Sequence, residues 1–152
     1  MTDPSETRVV ATAAELVGLV ELEDVIFYNV TSARRDEPGP EQPSQVMQVF
    51  VQHDGPRLEV RVQVQVDTED GRYLVDVSAR FTTGETMVAS DEVKQEFVER
   101  VGVMTVYPYI RETITTNAAK MRLVQPLMQL LRAGEAKLTP HPGGDRSGGD
   151  GP

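Results

Sequence analysis

The sequence predicts an α+β fold, in which a four-stranded antiparallel sheet is followed by two or three helices packed on one of its faces. Three observations support this class. Segments with a side-chain period of two fill the first half of the chain, local turn sequences join them, and the residues after Ser90 change to a helical period. Strands followed by helices, without alternation, are typical of α+β domains.

The first two strands are separated by a long connection. Ala11–Tyr28 is predicted to be one long strand whose apolar residues change parity, so we expect a bulge or bend near Glu23–Asp24. Arg34–Ser44 holds three prolines and a glycine and is predicted to be a crossover loop. The second strand covers Gln45–Gln52, where Met47 shares a face with two valines.

The next two strands form a hairpin. Leu58–Asp67 alternates leucine or valine with polar residues, which indicates a half-buried strand with one solvated face. Asp70–Gly71 supplies the turn, and Tyr73–Phe81 returns as the fourth strand with the same alternation.

Helices follow. Ser90 is a plausible N-cap, because acidic residues follow it in the first turn. Pro108 is expected to interrupt this helix, and Tyr109–Lys120 to form a second one. Leu123–Arg132 is a further short candidate, which Gly134 would end.

We divide the 152 residues into one domain with two loose ends. Residues 1–12 are expected to be disordered or loosely ordered, residues 13–138 form the domain, and the Gly/Pro-rich residues 139–152 are expected to be a disordered tail.

Composition excludes several classes of function. With 15 basic and 24 acidic side chains the net charge is −9, which disfavours nucleic acids and anionic membranes as partners. The chain has no cysteine and two histidines, so thiolate chemistry is excluded and histidine sites are scarce. It lacks an apolar run of about 18 residues, so we expect no membrane insertion. Its polar start does not resemble a secretory signal, so we expect a cytoplasmic location.

Two constellations suggest chemistry, and each has a simpler explanation. Asp91, Glu92, Glu96 and Glu99 could hold a metal, but nearby basic residues favour a solvated helix face. His53–Asp54 could be a general base, but it precedes turn-forming residues and no nucleophile is in view. We therefore expect neither a cofactor nor an enzymatic activity.

Four segments resemble the SecB family of export chaperones in the same order along the chain. The strongest is Tyr107–Glu112, an aromatic-Pro-Tyr-x-Arg-Glu signature. Glu23–Phe27, Leu74–Val77 and Val124–Leu127 are similar to family segments of the first strand, the fourth strand and the second helix. The resemblance covers about residues 15–132.

This resemblance implies an ATP-independent holdase, a homotetramer built as a dimer of dimers, that keeps unfolded preproteins in apolar grooves and delivers them to SecA. Asp24 and Asp76 match acidic residues that dock SecA in the family, whereas Tyr28 stands where the family has another acid. Pro108, Arg111 and Glu112 belong to the signature and are expected to be structural. Candidates for the client groove, where they are not simply core, are Phe27, Phe50, Met47, Tyr107, Tyr109 and Met121.

Departures from the family leave other functions open. Asn117–Met121 stands in place of the family's Gly-x-Phe-Pro-x-Leu loop, which leaves the shape of the groove undetermined. One alternative is a SecB-like chaperone dedicated to a single partner, such as an antitoxin in a toxin–antitoxin–chaperone system. Another is a small enzyme or ligand carrier, which has the weakest support. The lean aromatic content of 5% also favours self-association, because it limits the core that one chain can build.

Overall fold

The computed structural model describes residues 7–128 and 134–139 of the chain. Its elements, in chain order, are β1 (Arg8–Val10), α1 (Ala13–Leu19), β2 (Glu21–Arg34), β3 (Ser44–Asp54), β4 (Arg57–Asp67), β5 (Gly71–Thr82), β6 (Met87–Ala89), α2 (Asp91–Phe97), a π-helical turn (Val98–Gly102) and α3 (Val103–Lys120).

The predicted four-stranded antiparallel sheet is confirmed, in the order β2-β5-β4-β3. The connection from β2 to β3 therefore crosses the sheet from one edge to the other, as the proline-rich loop predicts. The alternation of β4 and β5 also holds, because their apolar residues face the helices and form a large part of the core. This set comprises Leu58, Val60, Val62, Val64, Val66, Tyr73, Val75, Val77, Ala79 and Phe81.

The prediction of one strand over Ala11–Tyr28 is wrong in its first half, where α1 forms. Thr12 caps this helix by accepting a hydrogen bond from the Glu15 amide at 3.1 Å, and the Glu15 carboxylate accepts one from the Ala11 amide at 3.2 Å. This arrangement is a variant of the capping box, in which the carboxylate reaches the amide of the residue before the N-cap, and it stabilises a helix start that outweighs the strand pattern. The predicted irregularity near Glu23–Asp24 is confirmed as a register shift between β2 and β5, and a second shift lies between Phe27 and Asn29.

The N-terminal residues are more ordered than expected. Arg8–Val10, which we assigned to a loose N-terminus, pairs in parallel with β6, and Val10 is buried. Residues 1–6 lie outside the described part of the chain.

The predicted break at Pro108 is also wrong, because α3 continues through the proline. A proline inside a helix costs about 3 kcal/mol. The helix compensates by burying residues on both sides of Pro108 against the sheet, among them Val106, Ile110 and Ile114. The N-cap at Ser90 is confirmed, since its hydroxyl accepts a hydrogen bond from the Val93 amide at 3.2 Å. Within the described residues, no helix combines the length and apolarity needed to cross a bilayer.

Gly102, the last residue of the π-helical turn, lies too close to the sheet to carry a side chain. A Cβ atom at Gly102 would lie 2.6 Å from Cγ2 of Val60 on the sheet. The turn therefore brings the helix backbone into direct contact with a core side chain.

The helix predicted over Leu123–Arg132 is absent from its described part. The chain leaves α3 through Arg122, whose φ of 57° lies in the left-handed region, and the Leu123 amide donates to the Ala118 carbonyl at 3.0 Å. This hydrogen bond closes the helix at its C-terminus. Residues 129–133 and 140–152, with most of the predicted tail, lie outside the described residues.

Candidate functional site

The sheet has two different faces. On the helix face, α3 contacts β5, β2 and β4. The other, here called the open face, carries the polar residues that alternate with the valines of β4, including Glu59, Arg61 and Gln63. Functional side chains are therefore sought on the open face and along the two edge strands, β2 and β3.

At the centre of the open face, Arg61 and Asp76 form an ion pair across β4 and β5. Arg61 Nε donates to Asp76 Oδ1 at 2.8 Å and Nη2 donates to Oδ2 at 2.6 Å, while Gln63 Nε2 donates to Oδ2 at 3.0 Å. Asp76 is only 6% exposed. The hydrogen bonds from Arg61 lower the pKa of Asp76 below its usual range, although burial acts in the opposite direction.

Tyr28 joins this cluster because of the second irregularity in β2. The register shift between Phe27 and Asn29 leaves Tyr28 as the extra residue. Its hydroxyl donates to Glu59 Oε1 at 2.5 Å, and the Arg61 guanidinium carbon lies 4.5 Å from its ring centroid. The bulge therefore turns an aromatic ring onto the open face and places it under a cation.

A cavity of about 920 Å³, here called the edge cavity, adjoins this cluster at the β3 edge of the sheet. It is lined by Tyr28, Phe50, Val51, Gln52, Glu59, Arg61, Gln63, Gln95, Leu138 and Thr139. Its volume is in the usual range for ligand sites, about 300–1,000 Å³. The lining combines apolar surface with side-chain amides and a guanidinium, which suits a polypeptide segment with apolar side chains and backbone carbonyls.

Residues Gly134–Thr139 are here called the C-terminal segment, and its last two residues, Leu138 and Thr139, line the edge cavity. The Thr139 amide donates to the Val49 carbonyl of β3 at 2.8 Å, and the Thr139 hydroxyl accepts from the Val49 amide at 2.7 Å. Thr139, which we placed at the start of a disordered tail, is thus attached to the sheet.

Glu99 in the π-helical turn holds the same segment. Its carboxylate accepts hydrogen bonds from the Leu138 amide at 3.2 Å and from Gln95 at 3.2 Å, and pairs with Lys137 at 3.4 Å. Burial raises the pKa of Glu99, but these donors outweigh it and the pKa lies below its usual value. The expectation of a solvated carboxylate face holds for Asp91, Glu92 and Glu96, which are exposed, but not for Glu99, which is 8% exposed.

The two carboxylates proposed for docking lie in different environments. Asp24 is exposed, and its Oδ1 accepts a hydrogen bond from the neighbouring Val25 amide at 2.9 Å. Asp76 is buried and bonded by Arg61 and Gln63.

The six groove candidates separate into three groups. Phe50 lines the edge cavity. Phe27 and Tyr109 form an exposed edge-to-face pair between β2 and α3, with ring centroids 6.5 Å apart. Met47, Tyr107 and Met121 are half-buried or buried, and the Met121 carbonyl accepts a hydrogen bond from Arg34 at 2.6 Å.

The three signature residues lie on α3 with exposed side chains. Glu112 accepts a hydrogen bond from the Thr116 hydroxyl one helical turn later, at 3.0 Å. None of the three lines the edge cavity, and their structural role stays a prediction.

Four residues of this region could not be assigned to the site from the sequence. In the sequence, Arg61 was only one of the polar positions of a strand, and Tyr28 was only a departure from the family. Glu99 was one of several carboxylates on a helix face, and nothing singled out Leu138. The alternation of β4 placed Arg61 on the solvated face. Its pairing with Asp76 depends on how β4 and β5 are aligned, and the sequence alone does not determine that alignment. In the described residues, no group of three or more His, Asp or Glu side chains could hold a metal ion.

Comparison with known proteins agrees with this architecture. No family profile matches the chain. The SecB-like chaperone SmegB of Mycolicibacterium smegmatis is 37% identical over 125 residues, which cover 82% of this chain and 84% of SmegB. The chain belongs to the SecB-like chaperones. Membership of this family places the protein among chaperones rather than enzymes and confirms the resemblance found in its motifs.

A solved structure shows the same fold. The chain matches a SecB-like chaperone of Mycobacterium tuberculosis, solved in complex with a ChAD peptide from the HigA1 antitoxin, with a TM-score of 0.65 and 18% identity. The match covers 78% of this chain and 95% of the other. At this identity the likeness supports the fold alone, and it confirms the predicted α+β architecture.

Proposed function

We propose that this SecB-like chaperone is an ATP-independent holdase that binds unfolded or nascent polypeptide segments in the edge cavity. The observation that carries the proposal is the cavity of about 920 Å³ beside an edge strand. Phe50 and Val51 offer apolar contacts to client side chains, and Arg61 and Gln63 offer hydrogen-bond donors to client carbonyls. Such binding is sequence-tolerant, because apolar contact and backbone hydrogen bonds require no particular client residue.

The test is suppression of aggregation of a reduced, unfolded client in the absence of ATP. We expect suppression by the wild-type protein near stoichiometric amounts, and weaker suppression by Phe50→Ser. Val88→Ser is the control, because Val88 is an apolar strand residue accessible to solvent, as the half-buried Phe50 partly is, but lies on β6, outside the cavity lining. Absence of suppression by the wild type would reject the holdase function, and equal loss in both variants would reject the site.

We further propose that the chaperone acts as a homotetramer, a dimer of dimers, in the cytoplasm. The exposed pair of Phe27 and Tyr109 beside the edge strand β2 supports self-association, since it leaves apolar surface next to unpaired strand backbone. Light scattering should give about four chains per particle, and a stable monomer would contradict the assembly.

Two destinations for clients are possible. The first is export by the Sec pathway, with SecA docked through Asp24 and Asp76. The second is a single dedicated partner, such as an antitoxin. The geometry at Asp76 favours the second, because a carboxylate that is 6% exposed and bonded to Arg61 offers little charge to an incoming partner.

Purified SecA distinguishes the two. A chaperone for export should bind SecA, and Asp24→Lys should abolish the binding while aggregation suppression remains. A dedicated chaperone should show no SecA binding and should co-purify with one dominant partner rather than with a broad mixture of precursors.

A further inference from the structure

The outer edge of β3 is occupied at one point by the chain itself. β3 is the last strand of the sheet, and it pairs with β4 on its inner side. At Val49 both backbone groups bond outwards to Thr139, one to its amide and one to its hydroxyl. The C-terminal segment therefore bonds to the outer backbone groups of one residue of β3, the groups to which an added strand would also bond.

The described residues pair with only part of this edge. In an antiparallel strand the backbone groups of every second residue point to the same side. Because Val49 points outwards, Met47 and Val51 do so as well. Among the described residues, Val49 is the only one of these three whose outward groups are paired with another segment. The edge could therefore hold a longer extended chain than Leu138–Thr139 provides.

The side chain that precedes Thr139 lies in the edge cavity. Leu138 is half-buried and lines the cavity together with Phe50 and Val51. A leucine in the cavity beside a backbone bonded to β3 is the arrangement that an extended apolar client segment would adopt.

Leu138 and Thr139 are held by fewer contacts than the residues before them. Thr139 makes two hydrogen bonds to Val49, and Leu138 donates its amide to the Glu99 carboxylate and packs against the core. The start of the segment is anchored separately, because the Gly134 amide donates to the Glu99 carbonyl at 3.0 Å and Ala136 is buried in the core. The Lys137 side chain is 69% exposed, so its ion pair adds little.

We propose that the outer edge of β3, from Met47 to Val51, binds an extended, apolar client segment by strand addition, and that Leu138–Thr139 occupy this edge until a client displaces them. The inference rests on the proposed holdase function and specifies its binding mode. The C-terminal segment acts as an internal competitor. The apparent affinity for clients therefore equals the intrinsic affinity multiplied by the fraction of molecules in which Leu138 and Thr139 are detached from β3.

Thr139→Pro is the most direct test, because proline has neither the amide nor the hydroxyl that bonds to Val49. Thr139→Ser is the matched control, since serine keeps both groups. The probe is fluorescently labelled, reduced and carboxymethylated lactalbumin, a permanently unfolded polypeptide, titrated into the full chain. We expect Thr139→Pro to tighten the Kd about fivefold to tenfold, as removal of two ordinary hydrogen bonds from a competitor allows, and Thr139→Ser to leave it unchanged.

An unchanged or weaker Kd in Thr139→Pro, with a wild type that binds the probe, would overturn the inference and leave the holdase function standing. Failure of every variant to bind would reject the holdase function itself.

Amide hydrogen exchange gives an independent readout. With the probe bound, the amides of Met47 and Val51 should exchange more slowly and those of Leu138 and Thr139 faster. If the client binds elsewhere, exchange at Leu138 and Thr139 should not become faster. Protection of all four amides would show that the segment stays in place, and this result would contradict displacement.

Discussion

Replacing Asp76 with asparagine tests whether this carboxylate is a structural part of the open face. Asp76 accepts two hydrogen bonds from Arg61 and one from Gln63, and it is 6% exposed. An asparagine would turn one acceptor into a donor facing these donors. Hydrogen bonds to charged groups contribute about 1.5–3 kcal/mol, and the 42% exposed Arg61 side chain reduces that contribution through solvent screening. We therefore expect Asp76→Asn to lower the free energy of unfolding by about 2 kcal/mol at pH 7.

The effect should depend on pH. The pKa of Asp76 is lower in the folded state than in the unfolded chain, where an aspartate has a pKa of about 3.9. The ionised carboxylate therefore stabilises the fold fully at pH values above the unfolded pKa. This stability is lost as the pH falls through the lower, folded pKa. The difference between wild type and Asp76→Asn should thus be largest near neutrality and shrink in acid.

Urea unfolding followed by circular dichroism, at pH 7 and at several acidic values, measures this difference. Protein concentration must be held constant, because self-association would make stability concentration-dependent. The matched control is Asp24→Asn, since Asp24 is an exposed strand carboxylate and should change stability by less than about 0.5 kcal/mol. A neutral Asp76→Asn at pH 7, or a loss that is the same at every pH, would refute the structural role of this ion pair.

Two further substitutions test the helical layer. Gly102→Ala should destabilise by about 1–3 kcal/mol in thermal or urea unfolding, because its Cβ would lie 2.6 Å from Val60 Cγ2, and a neutral effect would contradict the close approach. Ser90→Ala should cost about 1 kcal/mol, because the Val93 amide loses its capping acceptor, and Ser90→Asp, which restores an acceptor, should recover it.

The sheet was predictable from the sequence because its signals are local. The alternation of apolar and polar residues in β4 and β5 determines which face is buried. In β2 the apolar residues change from even to odd positions, and this change predicts a bulge. The motif at Tyr107–Glu112 identified the family before any geometry was known.

The errors arose where two signals competed or where distant residues meet. A capping box at Thr12 overrode a strand pattern, and packing of α3 on the sheet overrode the helix-breaking tendency of Pro108. The burial of Asp76 could not be foreseen either, because its partner Arg61 is distant in sequence and meets it only through the register of β4 and β5. The role of Glu99 likewise depends on Lys137 and Leu138, which are 38 and 39 residues away in sequence.

Clients are expected to bind in the edge cavity beside β3. The most direct test places a photo-crosslinking amino acid at position 50 and, as a control, at position 88, and illuminates each protein with an unfolded client in the absence of ATP. We expect strong crosslinking from position 50 and little from position 88. Equal crosslinking from both positions, or crosslinking from position 88 alone, would contradict binding in the edge cavity.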